Sequence, residues 1–180
     1  MGPLRRKRKH DGPADLPGAP GAPLALMALL DTHQALKAGL TGLGNMLLFD
    51  GILPASEREL IILRVAAGRS RYISAGHEPI AARAGISAVA LEQIADADPA
   101  DLDPRSLSLV RACDEILSSG GLRPATRGAL THGRDPRELL EILALVGFYR
   151  AMASIAEVYG LTPEPLPPYG HRSARQRRDR

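Results

Sequence analysis

Thiols and aromatic rings are scarce in this chain. Of 180 residues one, Cys113, is a cysteine, none is tryptophan, and aromatics make up 3%. A single cysteine excludes an intrachain disulfide and fits a reducing compartment. With so few aromatics, the 44% hydrophobic content must be supplied by Leu, Ile, Val and Ala, which favours packed helices over a β-sandwich. No segment alternates apolar and polar residues long enough to predict a strand. No uninterrupted apolar run reaches the roughly 18 residues of a membrane span. The basic start is followed by GPADLPGAPGAP, where an export signal would place its apolar segment. The expectation is a cytoplasmic protein with no membrane partner. No spacing of His, Asp and Glu matches a metal motif such as H-E-x-x-H. SSGG at 118–121 suits a helix stop better than a phosphate cradle. Neither a metal nor a cofactor is therefore expected.

The net charge of +3 is unevenly spread. The first ten residues carry +5, the last eleven +4, and the middle is left at −6. Neither basic end interleaves aromatics with its charges, and no nucleic-acid motif follows, so nucleic acid is set aside as a partner. Residues 1–23, charged and then Pro/Gly-rich, read as a disordered tail, and residues 162–180 as a second one. One domain, 24–161, lies between them, long enough for a real core.

That domain predicts an all-α fold of about seven or eight helices. PLALMALLDTHQALKAGL and GLGNMLLFDG carry apolar residues at helical spacing. ASERELIILRVAAG is apolar nearly all round, so it should be the central helix, with Gly68 as its stop. RYISAGHEPIAARAG holds Pro79, which should kink the helix or mark its true start. Ser87 can cap AVALEQIAD, and Asp103-Pro104 can open DPRSLSLVRACDEILSSGG. RPATRGALTHG is short. The last helix, DPRELLEILALVGFYRAMASIAEVYG, opens with Asp135, Pro136 and Glu138, the pattern of a capping box.

The stretch RSRYISAGHEPIAARAG at 69–85 is arranged like a thiol site without its sulfurs. Cysteines at 70 and 73 would give C-x-x-C-x-x-x-H with His77 one helical turn on, but those places hold Ser70 and Ile73. A serine hydroxyl and an isoleucine cannot reduce a peroxide, which needs a thiolate and a resolving thiol. Cys113 lies at helical spacing with Leu109, Ile116 and Leu117 and is expected in the core. His77 remains as a general acid or base, since an imidazole titrates near pH 6.5. Glu59, a carboxylate on an otherwise apolar helix, needs a partner, and Arg64 is only a loose match for one. Tyr72 can donate a hydrogen bond to a substrate. Arg71, if it faces inward, suits a carboxylate or enolate. Ser70 and Ser74 complete the expected substrate-binding set.

GILPASERELIILRVAAGRSRYISAGHEPIAARAGIS resembles the signature of the carboxymuconolactone decarboxylase-like family, whose superfamily includes the alkyl hydroperoxidase D proteins. The matching pieces are Leu53-Pro54, Arg58-Glu59-Leu60, Ile62-Leu63-Arg64, Ser70, Tyr72, His77-Glu78-Pro79-Ile80-Ala81 and Ala84-Gly85-Ile86-Ser87. Leu145-Val146-Gly147-Phe148-Tyr149 is similar to the family's last long helix. The resemblance spans roughly residues 25–162. It implies a single helical domain of the alkyl hydroperoxidase D type, a homo-oligomer (trimer or hexamer), and a pocket near the histidine helix. It also implies either thiol peroxidase chemistry or cofactor-free decarboxylation or isomerisation of small lactone acids. Glu59 stands eleven residues before Ser70, one fewer than the usual family spacing. Ile73 and Ser74 stand where many relatives carry an acidic residue and a tryptophan. Two expectations follow. The first is a cofactor-free acid–base enzyme (decarboxylase, dehydratase or isomerase) for a small, anionic, oxygenated metabolite, with His77, Glu59 and Tyr72 as catalytic residues. The second is a catalytically silent oligomer that binds a ligand or partner.

Overall fold

The structure is a computed structural model that describes residues 25–96, 99 and 102–164. Of the tails expected at 1–23 and 162–180, the first lies outside those residues, and so does the second beyond residue 164. Among the described residues eight α-helices follow in order: α1 Ala25–Leu30, α2 Gln34–Asn45, α3 Ala55–Ala66, α4 Arg71–Arg83, α5 Ala88–Ala95, α6 Pro104–Ser119, α7 Pro124–Thr131 and α8 Pro136–Val158. Among the described residues there is no strand, and the all-α expectation holds.

Helix α3 is the axis of the molecule. Residues 59–66 are all buried, and α4, α5, α6 and α8 pack around them. A helix buried on every side must neutralise its charges by pairing them. Glu57 binds Arg105 of α6 and Arg134, just before α8. Arg64 does not reach Glu59. Its Nε and Nη2 donate to the two carboxylate oxygens of Asp114 at 2.8 and 2.7 Å, and its Nη1 donates to the Ile94 carbonyl at 2.8 Å and to that of Asp96. One side chain thus ties α3 to α6 while occupying carbonyls at the end of α5, where a cation is favoured.

Local rules set most boundaries. Asp103 accepts the Arg105 and Ser106 amides, and Gly120 closes α6 at φ +77°. Ser87 accepts the Ala90 amide. Asp135 accepts the Arg137 amide, but Glu138 pairs with Arg134 at 3.1 Å, so half of the expected capping box is replaced by an ion pair. Pro79 neither starts nor stops α4. The helix begins at Arg71, with Ser70 as N-cap, and runs through the proline with one amide donor fewer.

Two departures shape the cavity. The first apolar segment is broken at Asp31–His33, where the His33 ring accepts the Leu36 amide at 3.2 Å and starts α2. The segment that follows, Met46–Asp50, is a π-helical turn. Such turns insert a residue into a helix and re-aim its side chains. By length and composition α8 could cross a membrane. It is instead a core helix, with Ile142, Leu145, Val146, Tyr149, Met152, Ala153 and Ala156 buried.

Candidate active site

Helices α3 and α4 form an antiparallel hairpin through Gly68, whose φ of +64° suits glycine. Glu59 and His77 each lie nine residues from that glycine, so the hairpin brings them level. The Glu59 Oε2 to His77 Nδ1 distance is 2.7 Å, both residues are buried, and Glu59 is only 1% exposed. The unusual spacing to Ser70 therefore leaves the carboxylate aimed at the histidine. A carboxylate can only accept, so Nδ1 carries the ring proton, and in the neutral ring Nε2 is the acceptor. The Tyr149 hydroxyl of α8 lies 3.1 Å from Nε2 and donates to it, with the two rings edge-on at 5.1 Å. Arg58 Nε reaches the other Glu59 oxygen at 3.5 Å.

His77 and Tyr149 face a cavity of about 200 Å³. Its walls come from α1, α2, the π-turn, α4 and α8, and most are apolar, Leu26, Leu40, Ile73, Phe148 and Met152 among them. At another point on the wall, Tyr72 donates to Glu164 Oε1 at 2.7 Å, and the same oxygen accepts the Ala25 amide at 2.7 Å. Burial, reinforced by that carboxylate, pushes the Tyr72 hydroxyl well above the ordinary tyrosine range, so it stays a proton donor. Gly44 of α2 permits the tight wall opposite α8: a Cβ there would sit 3.0 Å from Phe148 Cζ.

The predicted residues divide by helix face. Tyr72, Ile73, Gly76 and His77 share the stripe of α4 that lines the cavity. Arg71 lies off that stripe and is exposed, so it supplies no guanidinium to the cavity. Ser74 lines a different hollow, with Leu63, Glu78 and Leu91. Ser70 is buried as the N-cap, its Oγ accepting the Ile73 amide at 3.4 Å. None of the three expected substrate-binding residues reaches the cavity. Glu59 does not line it either and touches His77, which does. No Arg or Lys lines it among the described residues, so an anionic ligand would find no counter-charge there. Two site residues went unpredicted. Tyr149 had been quoted only as part of a core helix, and Glu164 falls in the Pro-rich segment assigned to a tail. Cys113 is fully buried, as expected, and burial pushes its thiol up to about 12.

The fold and site define an all-helical protein with a buried Glu–His–Tyr relay on a mostly apolar cavity, and no cysteine pair. Residues 34–115 match the sequence model of the Carboxymuconolactone decarboxylase family, and the fold is alkyl hydroperoxidase D-like. The fold is shared with an uncharacterized peroxidase-related protein from Ralstonia eutropha JMP134, described as an alkylhydroperoxidase AhpD core. That likeness has TM-score 0.66 and 22% identity, covering 76% of this chain and 74% of that one. A protein of unknown function from Agrobacterium tumefaciens aligns with TM-score 0.68 and 14% identity, over 77% of this chain and 97% of that one. An uncharacterized peroxidase-related protein from Silicibacter sp. TM1040 aligns with TM-score 0.64 and 21% identity, over 89% and 96%. Curated proteins gave no match. Glu59 and His77 lie inside the matched segment, and Tyr149 and Glu164 lie outside it.

Proposed function

We propose that this chain is a cofactor-free acid–base enzyme of the lyase or isomerase type acting on a small oxygenated metabolite. The observation that carries the proposal is the buried relay: Glu59 holds Nδ1, and Nε2 is presented toward a cavity beside a tyrosine hydroxyl. In this scheme His77 Nε2 takes a proton from a carbon next to a carbonyl, directly or through Tyr149. The Tyr149 hydroxyl then donates to the enolate oxygen, and His77 returns the proton at another position or to a leaving group. Glu59 is a positioning residue that keeps the ring and its tautomer fixed. The anionic substrate expected from Arg71 is withdrawn, because no Arg or Lys among the described residues lines the cavity. Thiol peroxidase chemistry is set aside, because Cys113 is buried with a raised pKa.

The expected homo-oligomer belongs to the same proposal. Leu36, Leu43, Met46, Phe49 and Ile52 are between 38% and 51% exposed, on the segment whose other side lines the cavity. A second copy of the chain is the proposed cover. A second function, ligand binding without turnover, is favoured by one observation: the cavity's polar groups already bond to one another, Tyr72 to Glu164 and His77 to Tyr149.

The test incubates a metabolite extract of the native host with the wild type and, in parallel, with His77→Gln, followed by mass spectrometry. A species consumed only by the wild type supports the enzyme, and its mass change separates loss of carbon dioxide, loss of water and isomerisation. A species consumed equally by both proteins refutes the role of His77. A species retained by both but consumed by neither supports the binding protein.

A further inference from the structure

We infer that the cavity selects a small, largely apolar amine, with Glu164 as the residue that recognises the protonated nitrogen. The inference rests on the cavity assigned above and adds a second polar pole to it.

Glu164 is a half-buried wall residue. Among the described residues its Oε1 accepts from the Ala25 amide and the Tyr72 hydroxyl, and Oε2 accepts from none. A carboxylate in an apolar wall calls for a positive partner or a donor. Among the described residues the lining supplies no Arg or Lys, so with Glu164 as its charged group the wall favours a cation over an anion. The rings of Tyr72, Phe148 and Tyr149 also line the space, and an ammonium group gains against aromatic faces. A neutral hydroxyl would also donate to Oε2, but without the ion-pair attraction an ammonium adds. The substrate class is therefore an amine on a compact apolar frame that also carries the oxygen function handled by His77. A site that pairs the ammonium rejects the carboxylate analogue, because like charges would then meet in a poorly solvated space.

Three probes of nearly equal size test this: 2-phenylethylamine, 2-phenylethanol and phenylacetate. Binding to the full chain is read by NMR on ¹³C-methyl methionine, because Met27 and Met152 line the cavity and Met46 does not. The expected result is amine binding about tenfold or more tighter than the alcohol, with shifts at Met27 and Met152, and no phenylacetate binding. Glu164→Gln should bring amine and alcohol within about twofold of each other, whereas His77→Gln should keep the preference. Phenylacetate binding as tight as the amine overturns the inference, as does an amine preference that survives in Glu164→Gln. Absence of binding by all three probes at millimolar concentration overturns it as well. The probes report recognition without turnover, so failure here leaves the role of His77 standing. Loss of turnover in the extract experiment leaves the amine preference standing in the same way.

Discussion

Replacing Glu59 with leucine separates a relay held for chemistry from a buried pair held for stability. Glu59 is 1% exposed and its Oε2 is the acceptor for His77 Nδ1–H at 2.7 Å. Leucine fills similar volume but leaves that N–H without a partner, which costs about 1–3 kcal/mol. Taking about 2 kcal/mol, and about 2–4 °C per kcal/mol for a domain of this size, Tm should fall by about 4–8 °C. Glu59→Gln keeps an acceptor and loses only the charge assistance, so about half that fall is expected. Removing both partners at once, Glu59→Leu with His77→Phe, removes the orphaned N–H and should restore part of the lost stability, the rest being withheld because Tyr149 and Arg58 lose these acceptors. Activity should drop by about 10²–10⁴-fold in Glu59→Leu, because nothing then fixes the tautomer. The direct assay needs no substrate. Long-range ¹⁵N–¹H NMR of the imidazole should show the wild-type proton on Nδ1 and, in Glu59→Leu, a mixture with Nε2. A wild-type proton on Nε2 would refute the relay, as would a Glu59→Leu protein with unchanged Tm and unchanged tautomer.

Three further outcomes are expected. Arg64→Met removes the bidentate bond to Asp114 and the donors to the Ile94 and Asp96 carbonyls. About 3 kcal/mol of stability should be lost, less than for a fully buried pair because Asp114 is 42% exposed, and chemical denaturation measures it. Stability should fall as pH rises from about 9 toward about 12. Burial holds the Cys113 proton in the folded chain up to about 12, while the unfolded chain releases it near 9. Tyr72, also raised, acts in the same direction. Urea midpoints at pH 8 and pH 10.5 test this, and a midpoint that rises would contradict it. Asp103→Ala removes the cap of α6 and should cost about 1 kcal/mol near neutral pH. The Asp103 bonds to Ser106 and Arg105 lower its pKa, so its contribution is present above the ordinary carboxylate range and lost as pH falls through the lowered value. Wild type and variant should therefore converge in strong acid.

The helices were legible because their signals are local. Asp103-Pro104, Ser87 and the glycines at 68 and 120 act within one turn, and the structure uses each as the sequence implies. Burial of α3 was legible from its apolar composition alone. The partners of its charges were not, because they come from α4, α6 and the approach to α8. Arg71 and Ser74 lie off the cavity for a geometric reason: neighbours of Tyr72 and Ile73 in sequence are turned about 100° per residue away from them on the helix. Tyr149 and Glu164 were missed because each contact spans more than seventy residues. The break at His33 and the π-turn carry no strong local signal, and both shape the cavity wall.

Ser70 and Ile73 do separate work in place of a thiol pair. Ser70 starts α4 by capping it, which fixes the rotation of the helix and therefore the direction of His77 seven residues on. Ile73 fills cavity wall where a second thiol would have stood. Neither could take part in electron transfer, and His77 is held instead by Glu59 and Tyr149. Proton transfer makes its own geometric demand, since the base must be rigid, oriented and presented to an enclosed space. The carboxylate behind the ring and the tyrosine in front of it meet that demand without sulfur. Deleting the Ser70 cap should consequently harm His77 as well as α4. In Ser70→Ala the imidazole tautomer signal should broaden along with a modest loss of Tm, whereas an exposed substitution such as Arg71→Ala should leave both unchanged.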